Sequence, residues 1–241
     1  MTECRSEFGL CVLHGDLWAV GGMNNRGKVL RSCERLDVTT NTWVRGPDML
    51  TERRYFGLCV LNGDLWAVGD LSCERLDTLT GKWVPGPNMT MPRSMHSVAE
   101  LHGELWVVGG RGGRCPTERL DAVTNQWVRG PDMAEVRTCF GLAVFRGQLW
   151  AVGGFNEGGK NLSPCEFLDA ASNTWMAGPP MNTPRFGHGL AVVDGQLWAV
   201  GGQGAEGIYL QSCERLDAAV NAWVAGPDYP VPTTHLCCAM I

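Results

Sequence analysis

The apolar residues of this chain fall in short runs separated by glycine, proline and asparagine, which predicts strands bounded by turns. A first run, Phe8 to Leu13, meets a tight turn at His14 and Gly15, and a second, Asp16 to Val20, ends at the pair Gly21 and Gly22. That order predicts a hairpin followed by a backbone break. A third strand around Cys33 to Leu36 ends at Asp37, a turn carrying Thr40 and Asn41 follows, and a fourth strand around Trp43 is stopped by Gly46 and Pro47. The unit is a four-stranded antiparallel meander. Its second strands, LWAVGG or LWVVGG, are apolar on successive residues, which predicts a sheet covered on both faces.

The unit recurs through nearly the whole chain, starting near Phe8, Phe56, His96, Phe140 and His188, with spacings of 48, 40, 44 and 48. All ten tryptophans fall on two repeat positions, the series Trp18, Trp66, Trp106, Trp150, Trp198 and the series Trp43, Trp83, Trp127, Trp175, Trp223. Radially stacked sheets cover both faces of each sheet, and crowding of their innermost strands around an axis suits the small residues Gly9, Gly57, Ser97, Gly141 and Gly189. The expected fold is all-β, a propeller of five four-stranded blades in one domain spanning 1–241, the alternative being part of a six-bladed ring. Leu236 to Ile241 aligns with Phe8 to Leu13 as a further first strand, so one end strand is surplus. A closed five-bladed ring is favoured, because an open edge exposes unpaired backbone.

Glycine pair, acidic end of the third strand, fourth-strand tryptophan and Gly-Pro recur in step, and in this order they resemble kelch repeats. Asp70 departs from the pattern where the second glycine of repeat two is expected, and the loop after it is the shortest. The Trp18 series stands where that family often has tyrosine. The resemblance to the kelch domain of kelch-like adaptors implies a protein-binding scaffold, either the substrate-recognition module of a ubiquitin ligase adaptor or a cytoskeletal binder. No BTB or BACK region accompanies it, so the ligase role needs a further segment or a partner chain. The resemblance also carries a runner-up, a carbohydrate-processing enzyme of the sialic acid mutarotase kind, which would use Arg and Glu in a central pocket.

A net charge of −5 argues against a surface devoted to nucleic acid or an anionic membrane, both of which need clustered Lys and Arg. Met1 to Glu7 carries charge where a signal peptide needs an apolar run, and no stretch approaches the roughly 18 apolar residues of a membrane span. A cytoplasmic protein is the expectation. Eleven cysteines would suit a disulfide scaffold, but Cys33, Cys73, Cys165 and Cys213 share one repeat position, and Cys11 and Cys59 share another held elsewhere by Ala99, Ala143 and Ala191. They read as small core residues and free thiols. No CxxC pair with matching histidines appears, so neither a metal nor another cofactor is expected.

Strand parity puts the loops between second and third strands, and the connections between blades, on one face. Length variation concentrates there, at Met23 to Arg31, Leu71, Arg111 to Pro116, Phe155 to Pro164 and Gln203 to Gln211. Variable loops on a rigid frame are where recognition is usually placed. One arginine per blade belongs to the same face: Arg5, Arg53, Arg93, Arg137 and Arg185 each lie ten residues before the hairpin glycine. Two readings stand side by side. The arginines bind an acidic protein or peptide, with Arg26, Lys28, Arg111 and Arg114 extending the patch, or each pairs with a neighbouring blade's carboxylate from the series Glu34, Glu74, Glu118, Glu166, Glu214 and locks blades together. Only three tyrosines are present and none clusters with histidine, against a copper-radical oxidase. His96 and His188 replace phenylalanine and read as packing residues, and Asp37 and its counterparts read as turn-capping groups. No catalytic residue is assigned, and the chain is expected not to be an enzyme.

Overall fold

A computed structural model describes residues 1–112, 117–169 and 171–232. Each repeat folds as a four-stranded antiparallel sheet with its strands in chain order. Blade 1 comprises Gly9–Leu13, Asp16–Val20, Cys33–Asp37 and Thr42–Arg45, and blade 2 comprises Gly57–Leu61, Asp64–Gly69, Ser72–Asp77 and Lys82–Pro85. Blade 3 follows with Ser97–Leu101, Glu104–Val108, Glu118–Asp121 and Gln126–Arg129. Blade 4 holds Gly141–Phe145, Gln148–Val152, Cys165–Asp169 and Thr174–Gly178, and blade 5 holds Gly189–Val193, Gln196–Val200, Cys213–Asp217 and Ala222–Ala225. The fold is the five-bladed all-β propeller expected. Gly9 pairs with Val20, so the N-terminal first strand takes the first-strand place of blade 1. The proposed extra strand 236–241 lies outside the described residues.

The described chain falls into two compact units, one built on Met1–Val107 and Glu118–Val128 with blades 1 to 3, the other on Val108–Thr117 and the chain from Arg129 onward with blades 4 and 5. In the first unit, Leu13, Trp18, Val20 and Met49 of repeat 1 pack with Phe56, Leu65, Leu76 and Trp83 of repeat 2. A second cluster there joins Leu61, Trp66 and Met89 to Leu105, Val107 and Trp127. In the second unit Phe145, Trp150 and Met181 pack with Leu190, Leu197 and Trp223. Hydrophobic cores therefore sit between blades 1 and 2, 2 and 3, and 4 and 5, which is why second strands, Ala19, Val20, Ala67 and Val68 among them, are buried on both faces. Trp43, Trp175 and Trp198 are only half-buried, so the tryptophan series is less uniformly interior than its regularity suggests.

Two repeat landmarks interlock. The fourth-strand indoles of Trp83, Trp127, Trp175 and Trp223 donate to the carbonyls of Pro47, Pro87, Pro131 and Pro179, the prolines that close the preceding repeat, at 2.9–3.1 Å. The glycine before that proline leaves room for the second-strand indole: a Cβ on Gly46 would lie 2.7 Å from the ring of Trp18, and one on Gly226 2.6 Å from that of Trp198. Blade 2 turns differently. Elsewhere both glycines after the second strand have positive φ, whereas Gly69 stays in the strand and Asp70 alone takes φ 51°. That is how the short loop is accommodated without the second glycine.

Candidate functional site

The pairing of loops with connections agrees with strand parity. Ser6 bridges to Met23, Asp70 to Arg93, Thr138 to Phe155 and Phe186 to Gln203, each joining a connection to a loop between second and third strands.

The five repeat arginines do not stand at the surface. Their side chains are at most 2% exposed, and each pairs with the third-strand glutamate of the blade it leads into, not that of a neighbour. Arg5–Glu34, Arg53–Glu74, Arg137–Glu166 and Arg185–Glu214 close at 2.6–2.8 Å, and Arg93 pairs with Glu118. Arg137 also donates through Nη1 to the carbonyls of Gly153 and Pro164, both at 2.8 Å. Each glutamate accepts in addition a backbone N–H from the segment carrying the arginine, as Ala134 donates to Glu166 at 2.7 Å and Asn182 to Glu214 at 2.7 Å. Burial opposes the charge on Glu34, but hydrogen bonds from Arg5, Thr2 and Glu3 outweigh it and hold the carboxyl down at about 2. The connections are tied back as well: Gly22 and Gly154 donate to the carbonyls of Arg53 and Arg185 at 2.8 Å. The expectation that these five guanidinium groups face a partner is corrected: a buried charge must be paired, and the pairing leaves no surface to offer. The pairing reading is corrected as well: the arginines do pair with the expected glutamates, but each ties the incoming connection to its own blade and does not lock one blade to a neighbour.

Around these latches runs a strained collar. Glu7, Tyr55, Met95 and Cys139, each two residues after its arginine, hold φ between 49° and 57°, and Gly187 holds the equivalent place. Their backbones join consecutive connections, Tyr55 N–H to Glu7 C=O at 3.2 Å and Met95 N–H to Tyr55 C=O at 3.0 Å. At Tyr55 the side chains form a polar cluster that the sequence reading missed. The Tyr55 hydroxyl donates to Glu7 Oε1 at 2.5 Å, the Arg54 guanidinium lies 5.5 Å from the Tyr55 ring centroid, and Arg54 Nη1 is 3.5 Å from Glu7 Oε2. Arg54 is exposed and also reaches Met23 Sδ at 3.4 Å, the base of the blade 1 loop. The available signal was variation: the two positions after the constant arginine read Ser-Glu, Arg-Tyr, Ser-Met, Thr-Cys and Phe-Gly.

Of the other predicted contacts, Arg26 and Lys28 are exposed on the blade 1 loop, and Arg111 is exposed at the start of the loop between the second and third strands of blade 3. Arg114 lies outside the described residues. Asn24 Oδ1 accepts the N–H groups of Arg26 and Lys28 at 3.0 and 3.1 Å, so the loop tip is held as a small hairpin. Asn156 does the same for the blade 4 loop through Lys160 N–H at 3.0 Å.

The histidines are packed inside. Burial, with the nearby Arg93 charge, pushes His96 down to about 3, and burial with Arg185 does the same to His188. Both stay neutral at ordinary pH. Asp37 caps its turn, accepting Thr39 and Thr40 N–H at 2.9 and 3.0 Å. The eight described cysteines are free thiols, and burial above all raises Cys33 and Cys165 to about 12. Among the described residues no group of three His, Cys, Asp or Glu side chains is placed to hold a metal ion, and no helix is long and apolar enough to cross a membrane.

The blade pattern, the glycine pairs and the buried Arg–Glu latches define a kelch-type propeller. The Kelch motif model matches residues 4–50, 92–134, 137–182 and 184–228, well over half of the chain, and the chain belongs to the kelch family. The unmatched stretch corresponds to blade 2, where Asp70 replaces the glycine, yet its four strands form like the others. The solved structure of YjhT is similar over 92% of this chain and 84% of that one, with a TM-score of 0.79 at 14% identity. No curated protein matches in sequence. The expectation that the chain is not an enzyme is overturned by this likeness and is withdrawn. At 14% identity the likeness shows the fold alone, and it transfers no substrate.

Proposed function

We propose that this propeller is a recognition scaffold that binds an acidic protein or peptide segment on the face formed by the loops between second and third strands and the connections beside them. The supporting observation is a division of labour among cations. The five constant arginines are consumed inside by glutamates, whereas Arg26, Lys28 and Arg54 are exposed, sit on or against one hairpin-shaped loop, and lie at positions where the repeats differ. Exposed guanidinium groups held by their surroundings suit bidentate capture of carboxylates at low ordering cost. Substrate recognition for a ubiquitin ligase or attachment to the cytoskeleton would both use such a face. A panel of acidic peptides titrated by fluorescence anisotropy tests the reading. Replacing Arg26, Lys28 and Arg54 together with Ala should weaken a captured peptide by about 1–3 kcal/mol, and added salt should weaken it further. Unchanged affinity in the triple variant would remove the reading.

The fold shared with YjhT favours a second reading, a carbohydrate-processing propeller. The Arg–Glu latches do not serve it, because each guanidinium group is buried and already paired with its glutamate, whereas the Glu7–Tyr55–Arg54 cluster brings an acid, a hydroxyl and a cation together. Anomer equilibration of acidic sugars followed by NMR decides it: acceleration that Tyr55→Phe abolishes supports catalysis, and the uncatalysed rate for all sugars removes it.

A further inference from the structure

On the edge where first strands turn into second strands, blades 1 and 2 enclose a cleft of about 240 Å³. Leu13, Trp18 and Pro47 from repeat 1 and Leu76 from repeat 2 form its apolar walls, and His14 and Thr78 add polar lining. Its charged lining is the ion pair Arg35–Asp16, with Arg35 Nη1 2.5 Å from Asp16 Oδ2 and the side chains 38% and 26% exposed. That pair is half used. Asp16 Oδ1 accepts no hydrogen bond among the described residues, and the Nε and Nη2 groups of Arg35 donate none.

Blade 2 has the same pair with its second acceptor filled. Asp64 pairs with Arg75 through Oδ2, while its Oδ1 accepts the N–H and the hydroxyl of Thr78 at 3.0 and 3.1 Å. Blade 1 has Val38 where blade 2 has Thr78, and valine has no hydroxyl to donate. Without that hydroxyl, as also in blade 3 where Ala122 holds the place, a carboxylate oxygen stays open beside an unfilled guanidinium edge, and in blade 1 this edge stands above buried apolar side chains.

We propose that this cleft is a binding site for a free α-amino acid with an apolar side chain. The ammonium meets Asp16 Oδ1, the carboxylate meets the open edge of Arg35, and the side chain lies against Trp18, Pro47 and Leu76. A vacant acceptor and vacant donors of opposite charge side by side suit a zwitterion better than a neutral sugar, whose hydroxyls return less for desolvating either ion. The volume lies below the roughly 300–1,000 Å³ of pockets that take drug-sized ligands, which restricts the occupant to about one residue. The site is on the opposite strand turns from the recognition face and is independent of the proposed function.

Ligand-observed NMR and calorimetry with the whole chain test it, using L-leucine, N-acetyl-leucine, leucinamide and glucose as probes. Leucine should saturate one site in the millimolar range or below, and either blocked form should bind at least about tenfold more weakly. Asp16→Asn and Arg35→Gln should each lower leucine affinity by a similar factor, with Glu104→Gln, the matched position in blade 3, leaving it unchanged. Circular dichroism melting of each variant separates loss of binding from loss of fold, and the blocked ligands report on the unaltered protein. No saturable leucine binding, equal binding of the blocked forms or glucose, or equal loss with Glu104→Gln would each overturn the assignment.

Discussion

The molecule uses arginine–carboxylate pairs in two regions, and the contrast between them shows that burial, not residue type, decides what a pair does. The pairs on the connections, such as Arg137–Glu166, have side chains 0% and 7% exposed, and both partners bond backbone groups as well as each other. The pairs on the strand edges, such as Arg35–Asp16, are about a third exposed and incompletely satisfied. The first kind fixes the path of the chain. The second leaves hydrogen-bonding capacity for something else.

Breaking an inner pair should have the largest effect. Arg137→Ala leaves Glu166 buried with its charge uncompensated, and a loss of about 3–5 kcal/mol is expected in denaturant titration. Replacing Arg137 and Glu166 together with Met and Leu should recover most of it, and a single variant costing under about 1 kcal/mol would show that the latch does not hold the connection. Trp150→Ala should cost a similar amount, about 3–5 kcal/mol, because the indole stacks on Phe167 at 5.0 Å and meets Phe145 edge-on within an inter-blade core. A small loss there would mean that the core between blades 4 and 5 closes without it.

Acid should act through the buried histidines. His188 is held at about 3 against an ordinary 6.5, so its neutral form favours the fold and the full contribution is present above 6.5. Stability should fall as pH drops from 6.5 towards 3, and His188→Phe, the residue of three other repeats, should flatten the melting temperature across that window. Parallel curves for variant and wild type would place the acid sensitivity elsewhere. Glu34 adds a second loss at lower pH, between 4.5 and about 2, since its depressed carboxyl favours the fold only while ionised.

Two smaller effects sharpen the contrast. Trp127→Phe keeps most of the packing but removes the hydrogen bond to the Pro87 carbonyl, and should cost on the order of 1 kcal/mol in the same titration. Arg35→Ala should cost less than about 1 kcal/mol, as half-exposed ion pairs do. A loss there as large as that of Arg137→Ala would erase the distinction between the two regions.

Glycine pairs, tryptophan series and Gly-Pro stops fixed strands, blade count and family, because strand alternation and turn chemistry are local and the repeat states them five times. Trp83 and Pro47, landmarks legible apart, turn out to be donor and acceptor of one inter-blade bond. Strand parity brought the variable loops and the connections together correctly, since it depends only on counting strands. Parity could not say which way an arginine side chain turns. Arg53 and Arg54 are adjacent and identical in type, yet one is buried on Glu74 and the other is exposed over Tyr55. Only the packed structure separates them, because the free energy of a guanidinium group is set by carboxylates and backbone carbonyls brought to it from distant parts of the chain.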